Sequence, residues 1–174
     1  MKHILNKALI ILFILSTVFT AFGQTKIDRT LRQLNKESVP YTYVENLEDT
    51  NNIILLDTRE KVEFNVSHLE NAIWVGYKNF EIDSIKHRIP DTDSEVVVYC
   101  SIGVRSEDIG EKLKKAGYSN VKNLYGGIFE WKNKGNIVYD TLGTKTERVH
   151  AFNKQWGKLL TAGEKVYDKK KNKR

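Results

Sequence analysis

Short runs of apolar residues alternate along the chain with stretches in which apolar residues recur every three or four positions. Residues 53–56 and 96–99 form the clearest runs, and continuous runs of this length are typical of strands buried on both faces of a parallel sheet. Weaker runs predict further strands at 41–44, 72–75 and 121–125.

Helical spacing separates these predicted strands. It predicts helices over residues 25–34, 61–64, 80–89 and 106–116. The last is supported by acidic residues in its first turn and by Gly117 just beyond its end. Strands that alternate with helices predict an α/β domain with a mainly parallel sheet flanked by helices.

The first residues have the pattern of a secretory signal. Two lysines precede an apolar run at 8–15, and small residues follow at 21–23 with the spacing of a cleavage site. Polar residues interrupt the stretch 8–22, whereas a bilayer span needs about 20 predominantly apolar residues. We therefore predict a signal peptide over residues 1–23, an exported protein that is periplasmic or extracellular, and no stable membrane span.

The pattern changes after residue 140. Apolar residues recur at helical spacing and predict an amphipathic helix packed on the domain: Val149, Phe152, Trp156, Leu159 and Leu160. The chain then ends in a basic tail, for which solubility is the favoured interpretation and contact with anionic lipid the alternative. The predicted division is a leader over 1–23, a domain over 24–140 and a C-terminal helical extension with a basic tail over 141–174.

Charge and cysteine content exclude several kinds of function. The formal net charge is +6, but seven basic residues lie at Lys2, Lys7 and within 169–174, and without them the body carries −1. Nucleic acid is therefore not a predicted partner. The single cysteine, Cys100, excludes an internal disulfide framework and any metal site built from several cysteines.

Cys100 has the most promising chemical setting. It follows the apolar run 96–99, and a short segment with Gly103 separates it from the helix predicted at 106–116. Ligands of open α/β sheets bind at this edge, and a tight loop before a helix can point several N–H groups at an anion. Such groups, with Arg105, would hold the pKa of a thiol below its usual value of about 8.5. A buried, structural cysteine is the alternative.

The segment 96–106 resembles the active-site loop of the rhodanese family of sulfurtransferases. Residues 55–59 (LLDTR), 63–73 (EFNVSHLENAI) and 124–131 (LYGGIFEW) resemble three other family motifs in the same order, so the resemblance covers about 43–134. Asn71 replaces a usual glycine, but asparagine tolerates a left-handed backbone, so we expect this turn to survive. Ser101 stands where single-domain relatives often carry arginine, which removes a positive charge.

The resemblance implies a rhodanese-like fold and a sulfurtransferase activity. Cys100 would be the catalytic nucleophile, accepting sulfane sulfur from a small sulfur-containing anion such as thiosulfate and passing it from a persulfide to a thiol or cyanide. The loop would cradle the persulfide, and Arg105 would help to bind an anionic donor. The implied substrate-binding residues are Ser101, Ile102, Gly103, Val104 and Arg105. No metal and no organic cofactor is implied.

Other polar and aromatic residues of these motifs are predicted to support the fold. Asp57, Arg59 and Glu63 would form a charge network between a strand end and the following helix. His68 would make a structural hydrogen bond, and Trp131 would pack beneath the cysteine loop.

Two other functions remain as alternatives. A cysteine phosphatase is expected to have five residues between cysteine and arginine, often with a histidine before the cysteine. Here four residues separate Cys100 from Arg105, and Tyr99 precedes the cysteine. A non-catalytic binding module with the same fold is the other alternative, although such a module needs no thiol.

Overall fold

The computed structural model describes residues 25–47 and 52–168. The predicted leader and the basic tail lie outside the described residues. Within the described ranges, no helix is long and apolar enough to cross a membrane.

A five-stranded parallel sheet forms the centre of the domain. Its strands stand in the order β1-β5-β4-β2-β3, and each neighbouring pair is parallel. Their bounds are Tyr41–Thr42 (β1), Ile54–Asp57 (β2), Ile73–Trp74 (β3), Val96–Tyr99 (β4) and Val121–Leu124 (β5). All five strands coincide with predicted runs, and the predicted α/β fold with a mainly parallel sheet is confirmed.

In the part of the chain that the structure describes, five helices flank the sheet. They are Lys26–Leu34 (α1), Lys61–Val66 (α2), Ile82–Arg88 (α3), Val104–Lys115 (α4) and Gly127–Asn133 (α5). The first four were predicted. The fifth was not, although it proves important for the cysteine loop.

The central strand β4 divides the core into two layers. Val97 and Tyr99 belong to an apolar cluster with α1 and α5, whereas Val96 and Val98 belong to a cluster with α3 and α4. Successive side chains of a strand point to opposite faces, so both faces of β4 are buried. This double burial explains why the run is apolar at every position.

The predicted C-terminal amphipathic helix is not formed. After a hairpin of Val138–Tyr139 (β6) and Lys145–Thr146 (β7), the chain forms a parallel pair of Arg148–His150 (β8) and Glu164–Val166 (β9). A single 3₁₀ turn, Trp156–Lys158, lies between β8 and β9.

Local backbone geometry explains why the helix prediction was wrong. Phe152 has a φ of 60°, which a right-handed helix cannot accommodate. The Asn153 side chain then accepts hydrogen bonds from the N–H groups of Gln155 and Trp156, forming a local turn. Val149 and Leu160 still reach the core, one from the strand and the other after the 3₁₀ turn. The helix-like spacing of apolar residues in this segment therefore arises from their burial in a strand and a turn, and not from a helix.

Two smaller predictions in the loop between α2 and β3 are confirmed. His68 is structural, since its Nδ1 lies 3.2 Å from the carbonyl oxygen of Phe64 and its ring stacks on the Phe64 ring. Asn71 adopts a φ of 56°, so the asparagine does keep the left-handed turn.

A buried ion pair fixes the end of β2. Arg59 and Asp57 are fully buried, and the guanidinium donates several hydrogen bonds to the carboxylate, the shortest of 2.6 Å. The same guanidinium donates to the carbonyl oxygen of Ser67. This pair confirms the Asp57–Arg59 part of the predicted charge network.

We expect Arg59→Met to lower the free energy of unfolding by about 3–5 kcal/mol, because it leaves the buried Asp57 carboxylate without its charged partner and with the backbone N–H of residue 59 as a remaining donor. Urea denaturation followed by circular dichroism measures this change. Lys86→Met is the control, since Lys86 forms an exposed ion pair with Asp83 and should change stability little. Equal stability of the two variants would contradict the role given to Arg59.

Candidate active site

Cys100 lies at the carboxyl end of the central strand. It follows Tyr99, the last residue of β4, and α4 begins at Val104. Gly103 completes the turn with a φ of 112°, a region that glycine enters without steric cost. Only four residues, 100–103, therefore separate the buried strand from the helix, and the thiol lies inside this bend.

A backbone N–H group lies against the thiol. The N–H of Gly103 is 3.1 Å from the Cys100 Sγ. Burial alone would raise the pKa of this thiol, but the charge of Arg105 and hydrogen bonding by Ser106 and Gly103 outweigh it and lower the pKa. The direction agrees with the prediction from the sequence and favours the thiolate form.

Two asparagine side chains fix the Gly103 carbonyl group of the cysteine loop. The amides of Asn35 and Asn123 both donate to the carbonyl oxygen of Gly103, at 2.9 and 2.8 Å. Asn123 is itself fixed, because its Oδ1 accepts a 2.7 Å hydrogen bond from the Ser106 hydroxyl. These bonds satisfy the carbonyl on one side of the loop while its N–H groups stay available to the thiol. Neither asparagine was identified from the sequence.

The first turn of α5 is hydrogen-bonded to the cysteine loop. The N–H groups of Ile128 and Phe129 donate to the carbonyl oxygens of Cys100 and Ser101, at 3.0 and 3.1 Å. Gly127 permits this approach, since a Cβ there would lie 2.3 Å from the Cys100 carbonyl oxygen. The prediction that Trp131 packs beneath the loop is corrected: Trp131 lines a separate cavity, and its indole donates to the carbonyl oxygen of Ile137.

Glu63, in α2, forms its ion pair with Arg105 beside the cysteine loop and not with Arg59. Arg105 donates two hydrogen bonds to its carboxylate, at 2.7 and 2.9 Å, and a third to the Ser101 hydroxyl. Burial opposes ionisation of Glu63, but these contacts with Arg105 outweigh it and lower its pKa. The positive charge near the thiol is therefore partly balanced by a buried carboxylate, a partner that the sequence analysis missed.

A cavity of about 140 Å³ adjoins the thiol. Every predicted site residue except Gly103 lines it, and two aromatic residues of the C-terminal segment complete the wall. The full lining is Cys100, Ser101, Ile102, Val104, Arg105, Phe152 and Trp156. The six predicted residues are thus brought together around one sulfur atom, while their roles towards a donor stay predictions.

Within residues 25–47 and 52–168, no group of three or more histidine, cysteine, aspartate or glutamate side chains is arranged to bind a metal.

A family model described as Rhodanese-like domain matches residues 40–134, more than half of the chain. The chain belongs to the rhodanese-like domain family. This confirms the resemblance drawn from four sequence motifs. It also sets apart the cavity residues Phe152 and Trp156, which lie beyond the matched range.

Curated relatives of this rhodanese-like domain include enzymes of more than one kind. An adenylyltransferase and sulfurtransferase of Candida albicans is 32% identical over 99 residues, which are 54% of this chain and 23% of that protein. A tRNA uridine(34) hydroxylase of Yersinia pestis is 31% identical over 97 residues, 52% of this chain and 26% of that protein. The chain therefore spans about a quarter of the length of these relatives.

Solved structures show the same fold. The BH2092 protein of Bacillus halodurans matches with a TM-score of 0.54 and 23% identity, covering 67% of this chain and 88% of that chain. A thiosulfate sulfurtransferase of Pseudomonas aeruginosa matches with a TM-score of 0.54 and 22% identity, covering 70% and 23%. At these identities the likeness concerns the rhodanese fold alone.

Replacing Arg105 should raise the pKa of the thiol. Arg105→Ala removes the nearby positive charge, so we expect the pH dependence of Cys100 alkylation by iodoacetamide to shift to higher pH. Arg88→Ala, in α3, is the control and should leave the profile in place. An Arg105→Ala profile that is unchanged or shifted to lower pH would contradict the electrostatic role of Arg105.

Replacing Gly127 should disturb the loop itself. Gly127→Ala forces the Cys100 carbonyl to move, whereas Gly135→Ala has a similar positive φ of 83° and no atom within 4 Å of the new Cβ. Both variants therefore place an alanine at a positive φ. The additional loss of stability in Gly127→Ala then measures the clash with the Cys100 carbonyl. We expect Gly127→Ala to lose about 1–3 kcal/mol more than Gly135→Ala in urea denaturation. Equal losses would show that α5 does not need this close approach.

Proposed function

We propose that this rhodanese-like domain is a sulfurtransferase that carries sulfane sulfur as a persulfide on Cys100. The observation that carries the proposal is the hydrogen bond from the Gly103 N–H to the Cys100 Sγ, in a loop at the carboxyl end of the central strand. Such a loop stabilises a negatively charged sulfur at a fixed position.

In the first half of the reaction, the Cys100 thiolate attacks the outer sulfur of a donor such as thiosulfate. A new S–S bond forms between Sγ and that sulfur, the S–S bond of thiosulfate breaks, and sulfite leaves with the bonding electron pair. The protein then carries a persulfide with one negative charge. No external oxidant or reductant is needed.

In the second half, a nucleophile such as cyanide or a thiolate attacks the terminal sulfur of the persulfide. The S–S bond to Cys100 breaks, the thiolate is regenerated, and thiocyanate or an organic persulfide leaves. Both half-reactions keep a negative charge close to Sγ. The loop N–H groups and Arg105 therefore stabilise each state without large rearrangement.

Relatives support the coarse assignment. One of them is named a sulfurtransferase, and the solved thiosulfate sulfurtransferase shares the fold. Another is named a tRNA uridine(34) hydroxylase, but the net charge of the body, apart from the two basic ends, does not favour a nucleic-acid partner. We further propose export to the periplasm or the exterior, on the basis of the leader at residues 1–23.

The proposal is tested by formation of thiocyanate from cyanide and a sulfane donor. We expect the wild type to turn over and Cys100→Ser to fall to the uncatalysed rate, since serine does not form a persulfide. Circular dichroism serves as the folding control. The buried site differs by one atom, so the Cys100→Ser spectrum should be retained. Thiocyanate formation above the uncatalysed rate by folded Cys100→Ser would contradict the proposal.

A further inference from the structure

The cavity next to Cys100 is closed on one side by the C-terminal segment. Phe152 and Trp156 line it, although both residues lie outside the range matched by the family model. The Phe152 ring lies 5.2 Å from the Arg105 guanidinium carbon. These aromatic rings therefore belong to the surroundings of the reacting sulfur, on a part of the chain whose sequence the family does not account for.

The position of Phe152 is built into the fold. Its φ of 60° is a strained conformation for a bulky side chain, and its N–H donates to Nδ1 of His150. His150 is buried, and its Nε2 lies 3.2 Å from a carboxylate oxygen of Asp168. This chain of contacts holds Phe152 over the cavity while the residue stays 44% exposed. Strain at an exposed aromatic side chain beside a reactive cysteine points to a functional role rather than to packing.

Trp156 is held by a second set of contacts. Its N–H donates to the Asn153 side chain, and the following residue, Gly157, donates its N–H to the Asn153 carbonyl. The Trp156 side chain is half-buried against the core cluster that also contains Ile102. Backbone contacts therefore place both aromatic residues at the wall of the cavity.

The lining of this cavity suits an apolar group better than an inorganic dianion. Its only charged residue is Arg105, which already makes a bidentate ion pair with Glu63. Thiosulfate would bring two negative charges to a place that already holds the thiolate and the Glu63 carboxylate. The volume of about 140 Å³ is close to that of an engineered apolar cavity of roughly 150 Å³ that binds benzene.

We propose that Phe152 and Trp156 are specificity-determining residues, which make this domain prefer sulfane-sulfur donors that carry an apolar organic group over inorganic thiosulfate. This inference rests on the proposed sulfurtransferase function. The apolar group occupies the cavity between the two rings, and the transferable sulfur faces Cys100. The chemistry keeps the balance given above, with an organic sulfinate or thiolate leaving in place of sulfite.

Three donors separate charge from apolar size: thiosulfate, the methanethiosulfonate anion and the benzenethiosulfonate anion. The last two share one charge and one reacting group, and they differ in the apolar group alone. The Cys100 thiolate attacks the outer sulfur of either anion, the S–S bond breaks, and the corresponding sulfinate leaves. Thiocyanate is measured with cyanide as the acceptor, after subtraction of the uncatalysed reaction.

For the wild type we expect kcat/KM to be roughly ten-fold or more higher for benzenethiosulfonate than for methanethiosulfonate, and lowest for thiosulfate. Phe152→Ala and Trp156→Ala should bring the ratio for the two thiosulfonates towards one, mainly through KM. The milder Phe152→Leu and Trp156→Phe keep part of the apolar wall and should give intermediate ratios. Leu142→Ala, an 88% exposed residue in the turn between β6 and β7, is the control and should leave the ratio unchanged.

The possible failures are distinguishable. Turnover of all three donors with a wild-type ratio near one, or with thiosulfate as the best donor, overturns this inference and leaves the sulfurtransferase function standing. A high ratio that persists in folded Phe152→Ala and Trp156→Ala also overturns it. Absence of thiocyanate with all three donors overturns both proposals.

Discussion

The hydrogen bond between the Gly103 N–H and the Cys100 sulfur is the interaction on which the rest of the site depends. It requires the chain to turn from β4 into α4 through four residues, with the Gly103 N–H directed at the sulfur. Two asparagine amides donate hydrogen bonds to the Gly103 carbonyl oxygen. N–H groups at the start of α5 donate to the other loop carbonyls, and this close contact is possible because residue 127 is a glycine. The surrounding structure thus fixes the Cys100 sulfur in place.

The balance of charge around this sulfur links the loop to the rest of the domain. Arg105 lowers the pKa of the thiol, but it is also bound to the buried carboxylate of Glu63 in α2. The Arg105–Glu63 pair therefore leaves little net positive charge at the site, and strand β8 packs against the same helix. The segment that follows β8 brings Phe152 and Trp156 to the cavity. Their aromatic rings offer an apolar surface beside Arg105, whose charge is already paired.

The sequence was informative where structure is determined locally. The buried strand β4, the cysteine at its end, the glycine in the loop and the left-handed Asn71 are all encoded by neighbouring residues, and they were predicted correctly. Contacts between distant segments were missed. Glu63 is 42 positions from Arg105, and Asn35 is 68 positions from Gly103, so only the fold reveals these pairs. The helix expected after residue 140 failed because apolar spacing reports burial, which a strand followed by a 3₁₀ turn also provides.

If this loop holds a persulfide on Cys100, the intact mass of the protein will show it. After treatment with a sulfane-sulfur donor and removal of excess reagent, we expect the wild type to gain the mass of one sulfur atom. Cyanide should remove that atom, and Cys100→Ser should gain none. Absence of the added sulfur in the wild type, or the same gain in Cys100→Ser, would show that Cys100 is not the persulfide carrier.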